Sequence, residues 1–140
     1  MIKNALLLLS FFFLCFNLSA QSILGKWKTI DENTGQAKSI VEIFENDGKI
    51  YGKILSVVNP AKQDAKCIDC DGDKKNKPLV GLVFIEDLSK NGDVYEGGTI
   101  LNPENGKVYR CKLTLNDPDT LQVRGYLAFF YRTQYWKRVK

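Results

Sequence analysis

KSIVEIFENDGKIYGKILSVV, residues Lys38 to Val58, decides how this chain folds. Ile40, Val41, Ile43 and Phe44 crowd its first half, and Lys49 to Val58 repeats the β-branched pattern after a break. The break is Asn46-Asp47-Gly48, which supplies the positive φ angles that a tight hairpin turn needs. Two strands, Lys38 to Glu45 and Lys49 to Val58, therefore lie antiparallel.

Working outward, Leu24 to Asp31 alternates, with Gly25, Trp27 and Thr29 on one face and Lys26 and Lys28 on the other. Glu32-Asn33-Thr34-Gly35 follows as a turn. On the other side of the hairpin, Asn59 to Pro78 is rich in lysine and aspartate and poor in apolar residues. A loop of that length inside a compact domain is functional, covalently pinned or mobile. Strands resume over Leu79–Leu88, Val94–Leu101, Lys107–Leu115, Thr120–Tyr126 and Phe129–Val139, separated by turns at Lys90-Asn91-Gly92-Asp93, Pro103-Glu104-Asn105-Gly106 and Asn116-Asp117-Pro118-Asp119. Gly97-Gly98 marks a bulge or bend.

The pattern predicts an all-β domain of about eight short strands joined mostly by hairpins, with one long loop between strands 3 and 4. A single antiparallel up-and-down barrel removes the exposed edges of such a sheet. A sandwich would show the same periodicity.

The first 20 residues are of another kind. Lys3 supplies a positive start, Ala5 to Leu18 an apolar run, and Leu18-Ser19-Ala20 a small-residue exit, the marks of a cleaved export signal. The run is shorter than the roughly 20 apolar residues of a spanning helix. Residues 21–140 then form one exported domain, periplasmic or extracellular and soluble, with net charge lowered from +4 to +3 by the loss of Lys3. Leu14 before Cys15 lacks the small residue that lipoprotein processing wants, so no lipid tether is expected. A mild positive excess with no like-charge block argues against a nucleic-acid partner. There is no histidine, which excludes the usual Ser-His-Asp and Cys-His catalysis and His-ligated zinc.

Several stretches resemble a secreted bacterial family known as domain of unknown function 2147. They are Gly25-Lys26-Trp27, Cys67-Ile68-Asp69-Cys70 with Pro78-Leu79-Val80-Gly81-Leu82, Gly97-Gly98, Asn102 to Tyr109, Val123-Arg124-Gly125-Tyr126 and Arg132 to Arg138. Asn102 stands where that family usually carries Asp, and Tyr131 where Gly is common. The pattern also resembles the calycin group, which includes the lipocalins. That resemblance implies a cation–π pair between Trp27 and Arg138 closing one end of the barrel, worth roughly 0.5–2 kcal/mol.

If Arg138 points inward on a regular last strand, Arg132, Gln134 and Trp136 share its face. Tyr109, Cys111, Leu113 and Leu115 make an apolar face on strand 6. Trp27, Tyr109, Arg132, Gln134 and Trp136 are thus the candidate ligand-binding residues, suited to a small amphipathic or apolar molecule with an anionic or carbonyl group. Against this, small barrels can fill their interior with side chains. Arg124 and Tyr126 are expected to face outward.

Cys67 and Cys70 are expected to form a disulfide in an oxidising compartment. A redox site would need a helix N-terminus rather than an aspartate-rich loop, and zinc would need two more ligands. Cys111 reads as a buried small hydrophobe. Asp69-x-Asp71-Gly72-Asp73 resembles the start of a calcium loop, but Lys74 and Val80 occupy its glycine and glutamate positions. No metal or cofactor is expected.

The leading functional expectation is a non-enzymatic exported barrel binding a small molecule or an envelope component in its lumen. The alternative is a filled barrel acting as a structural or protein-interaction module through its surface or the 59–78 loop. A remote third is a carboxylate-based hydrolase using Glu96 and Glu104.

Overall fold

The computed structural model describes residues 21–140; the proposed export signal lies outside them. The hairpin at the centre of the sequence forms as its residues dictate. Asp47 and Gly48 take φ values of 49° and 77°, and strands β2 (Ala37–Asn46) and β3 (Lys49–Val57) zip upward from the Asn46–Lys49 pair.

The remaining strands are β1 (Gly25–Ile30), β4 (Val83–Asn91), β5 (Val94–Leu101), β6 (Val108–Asp117), β7 (Thr120–Leu127) and β8 (Phe130–Arg138). Each pairs antiparallel with its sequence neighbour, and β8 returns to β1, so the sheet closes as a barrel and not as a sandwich. Closure removes both edges of the sheet along the paired part.

Strand 4 begins at Val83 rather than at Leu79. Leu79 instead donates its N–H to Ala65 O, and Gly81, at φ 90°, donates to Ile54 O. Those bonds bend Leu79 to Leu82 into the end of the long loop. The bulge at Gly97-Gly98 is present as a register shift in the β5–β6 pairing. Gly98 is required there, because a Cβ would stand 1.9 Å from the Glu86 carbonyl oxygen of the neighbouring strand.

The two ends of the barrel differ. At the lower end, the chain before β1 folds under the barrel and buries Ile23. Trp27 is fully buried above it (0% exposed) and donates its indole N–H to Ile23 O at 2.9 Å. The Arg138 guanidinium lies 4.3 Å from the Trp27 ring. It also donates to Pro118 O (2.8 Å), Ser22 O (2.7 Å) and Leu24 O (3.2 Å). One cation therefore ties the start of the domain, the β6–β7 turn and β8 together. Gly25, beside it, takes φ 124°, a backbone region that favours glycine.

Around and above this plug, Val41, Ile43, Ile85, Leu88, Leu113, Leu121 and Trp136 are buried and pack into one core. At the upper end lie the β1–β2, β5–β6 and β7–β8 turns and the long loop. The loop is pinned: Cys67 and Cys70 are disulfide-bonded and buried, and Cys67 N–H donates to Lys77 O. Asp69 rests on the β5–β6 turn so closely that a Cβ on Gly106 would lie 1.8 Å from its carbonyl oxygen. Lys74 anchors the far side of the loop to Glu86 at 2.9 Å. Among the described residues no helix is long and apolar enough to cross a membrane.

Candidate functional site at the barrel mouth

The inner wall over β6, β7 and β8 can be read rung by rung from the pairing. The lowest rung is Leu115, Leu121 and Trp136; the next is Leu113, Val123 and Gln134; the third is Cys111, Gly125 and Arg132. Side chains two apart on a strand share a face, so this wall grows steadily more polar toward the mouth. Gly125, on the third rung, offers no side chain, and a Cβ there would touch Tyr109 Cβ at 3.4 Å. Tyr109 and Gln134 are half-buried around it.

Several of the polar groups here have defined partners. Trp136, 2% exposed, donates its indole N–H to Gln134 Oε1 at 3.2 Å, leaving the Gln134 amide nitrogen free to donate elsewhere. Arg132 Nη2 donates to Glu32 Oε2 at 2.6 Å, and that hydrogen bond raises the guanidinium pKa above its ordinary value. Lys38 and Glu104 form a second ion pair that links the start of β2 to the β5–β6 turn. The Lys38 ammonium holds the Glu104 carboxyl below the usual glutamate range. Thr29 and Ser39 share a hydrogen bond of 2.7 Å below this rim.

The wall is most sparsely paired where its first and last strands meet. β1 and β8 are paired only through Trp27–Arg138 and Lys28–Lys137. Above those rungs the strands diverge, and a depression of about 280 Å³ opens between Ile30, Glu32, Thr133, Gln134, Tyr135 and Lys137. Gln134 belongs both to this seam and to the inner wall. A second concavity, of about 270 Å³, lies between the long loop and β4, lined by Lys74, Lys77, Leu82 and Glu86 among others.

The five sequence candidates do not form one cluster. Tyr109, Gln134 and Arg132 gather at the mouth with Trp136 as their floor. Trp27 lies at the opposite end, opposite Arg138, six residues or about 20 Å down β8 from Arg132. Its ring is sealed within the plug. Arg132 shares the inner face of β8 but extends outward at the rim, where its side chain is largely exposed. Glu96 and Glu104 do not converge on one point. Glu96 sits low on β5, bonded to Asn91 and Lys112, whereas Glu104 is in the upper turn. Burial pushes the Cys111 thiol up to about 12, so it stays protonated and inert. Two features were not identified from the sequence: Glu32 as the partner of Arg132, and the β1–β8 seam. A turn carboxylate and a count of paired rungs leave no trace in periodicity.

A closed eight-stranded antiparallel barrel, plugged at one end by a Gly-x-Trp and Arg pair, defines a lipocalin-like fold. Residues 25–138 match the family described as uncharacterized protein conserved in bacteria (DUF2147), and the chain belongs to that family. Among solved structures it is similar to protein HP1028 from the human pathogen Helicobacter pylori, described as belonging to the lipocalin family. The two share 27% identity at a TM-score of 0.73, over 85% of this chain and 84% of that one. Comparison with curated proteins finds no match.

Proposed function

We propose that this is an exported binding protein that holds a small amphipathic molecule at the barrel mouth, its polar end on Gln134 and Arg132 and its apolar body along the β1–β8 seam. The observation that carries this reading is the polarity gradient of the inner wall. An apolar floor at Trp136 and Val123 rises to a half-buried amide and a guanidinium, beside the most sparsely paired seam of the barrel. Buried apolar surface with a few convergent polar groups is how ligand sites are built. A carboxylate or carbonyl would take the Gln134 amide N–H, and an anionic group would displace Glu32 from Arg132 by forming the same charge-assisted bond. The site holds its ligand without chemistry, and binding has no need of a metal or cofactor.

The lower barrel favours a second reading. Trp27, Leu113, Leu121 and Trp136 fill it, so a filled interaction module working through its rim and pinned loop is the alternative. Native mass spectrometry of the protein from its own host, with a titration of an environment-sensitive fatty-acid probe, separates the two. A bound small molecule, or probe uptake weakened by Arg132→Ala with Gln134→Ala, supports the ligand site. Neither a co-purified molecule nor probe uptake would sink it in favour of the filled barrel.

A further inference from the structure

The turn joining β7 to β8 is the most apolar projection of the described surface. Hairpin tips ordinarily carry polar residues, Gly or Asn. This one reads Leu127-Ala128-Phe129-Phe130-Tyr131, with Phe129 98% exposed, Phe130 79%, Tyr131 59% and Leu127 54%. Ala128 takes φ 53°, a backbone region that favours glycine. Val108, also exposed, stands beside it by continuation of the β6–β7 register. Neither packing nor turn chemistry accounts for two phenylalanines at this position.

What lies beneath the tip is layered. One rung down, Tyr126 and Tyr131 pair with ring centroids 5.6 Å apart. Below and beside them come the cations. Arg124 lies 4.9 Å from the Tyr131 ring, and Lys112 and Arg110 lie 5.2 Å and 6.0 Å from the Tyr126 ring. The acidic neighbours at this height are Glu96, held by Lys112 at 3.4 Å, and Glu32, neutralised by Arg132 at 2.6 Å.

We infer that this hairpin docks the barrel onto an anionic lipid bilayer. A convex apolar tip matches the acyl boundary, a tyrosine layer matches the interface where amphipathic rings concentrate, and a guanidinium and ammonium layer matches the lipid phosphates. Counting rungs, the tip stands two to three residues, about 7–10 Å, beyond the Arg110–Tyr126 rung, the depth to which interfacial elements enter, with Arg124 and Lys112 paired two residues farther down. A groove would point to a peptide; a projection with stacked cations behind it points to a surface that can be entered. The inference stands apart from the mouth site, although docking would turn the mouth toward the bilayer.

The test uses the chain from Gln21 on, which contains the whole closed barrel and its Ile23 plug. Flotation is measured with vesicles of phosphatidylglycerol and phosphatidylethanolamine, and with vesicles of phosphatidylcholine alone. The protein is expected to float with the first set and to lose binding on raising salt. The pair Phe129→Ser and Phe130→Ser should weaken partitioning by at least about tenfold without changing the thermal melt. Arg124→Gln should reduce the preference for the anionic vesicles about fivefold, the share of one of the three cations. Failure of the wild-type chain to float overturns the inference, as does equal flotation of the serine variant. A concentration-dependent dimer lost in that variant, without vesicle binding, would assign the patch to a second copy instead.

Discussion

Arg138→Met removes a charge and three carbonyl partners while keeping most of the stem that packs under the barrel. The wild-type guanidinium lies 4.3 Å from the Trp27 ring and donates to Pro118, Ser22 and Leu24. Loss of the cation–π contact costs about 1–2 kcal/mol at a site partly shielded from water. The three carbonyls lie near the surface and can be rehydrated, so their lost bonds cost about 1 kcal/mol each or less. The sum is about 2–4 kcal/mol, and for a domain of this size that lowers the melting temperature by about 8–15 °C. Thermal and urea unfolding followed by circular dichroism read this directly. A double-mutant cycle with Trp27→Leu, which removes the π face, should return a coupling of about 0.5–2 kcal/mol. A melt unchanged by Arg138→Met, or strictly additive variants, would refute the view that this pair is the plug of the lower end.

Three further outcomes follow from the same geometry. Gly106→Ala sets a Cβ against Asp69 O at 1.8 Å and strains a residue at φ 73°; it should lift the pinned loop off the β5–β6 turn, seen as faster proteolysis between Asn59 and Leu82 with the barrel still folded. Cys111 should resist iodoacetamide at pH 8 in the folded state, because burial raises its pKa to about 12, and should react promptly in urea; rapid labelling of folded protein would contradict its placement. Glu104 has a folded-state pKa below the ordinary glutamate value, held there by Lys38. Its ion pair therefore contributes stability above the ordinary glutamate value, and that contribution is lost as pH falls through the lowered one. Glu104→Gln should blunt the acid side of the stability profile in urea titrations, whereas an unchanged profile would show the pair to be without weight.

Much of this architecture is legible in the residues. Asn46-Asp47-Gly48 announces its hairpin because positive φ has few tenants, and alternation over Lys38 to Val58 assigns faces because the strand period is two. The start of β4 is not legible: Leu79-Val80-Gly81-Leu82 is as apolar as a strand, and only its bonds to Ala65 and Ile54 turn it into loop. Periodicity assigns Arg132, Gln134, Trp136 and Arg138 to one face but says nothing of height. The same face therefore holds a plug residue, a core residue, a wall residue and a rim residue. The divergence of β1 from β8 is set by the length of the paired segment, which belongs to closure of the whole sheet. Phe129 and Phe130 read as the start of a strand until the turn at Ala128 and Phe129 exposes them.

The chain has two tryptophans, Trp27 in the plug and Trp136 at the floor of the proposed site, and their indole N–H resonances test ligand binding at the mouth most directly. In a ¹⁵N–¹H spectrum titrated with a medium-chain fatty acid, the Trp136 indole signal should shift as its partner Gln134 turns to the ligand. The backbone signals of Gly125 and Arg132 should move with it, while the Trp27 indole, bonded to Ile23 within the plug, stays in place. A shift of the Trp27 signal with Trp136 unmoved, or no change at either, would contradict a binding site at the mouth.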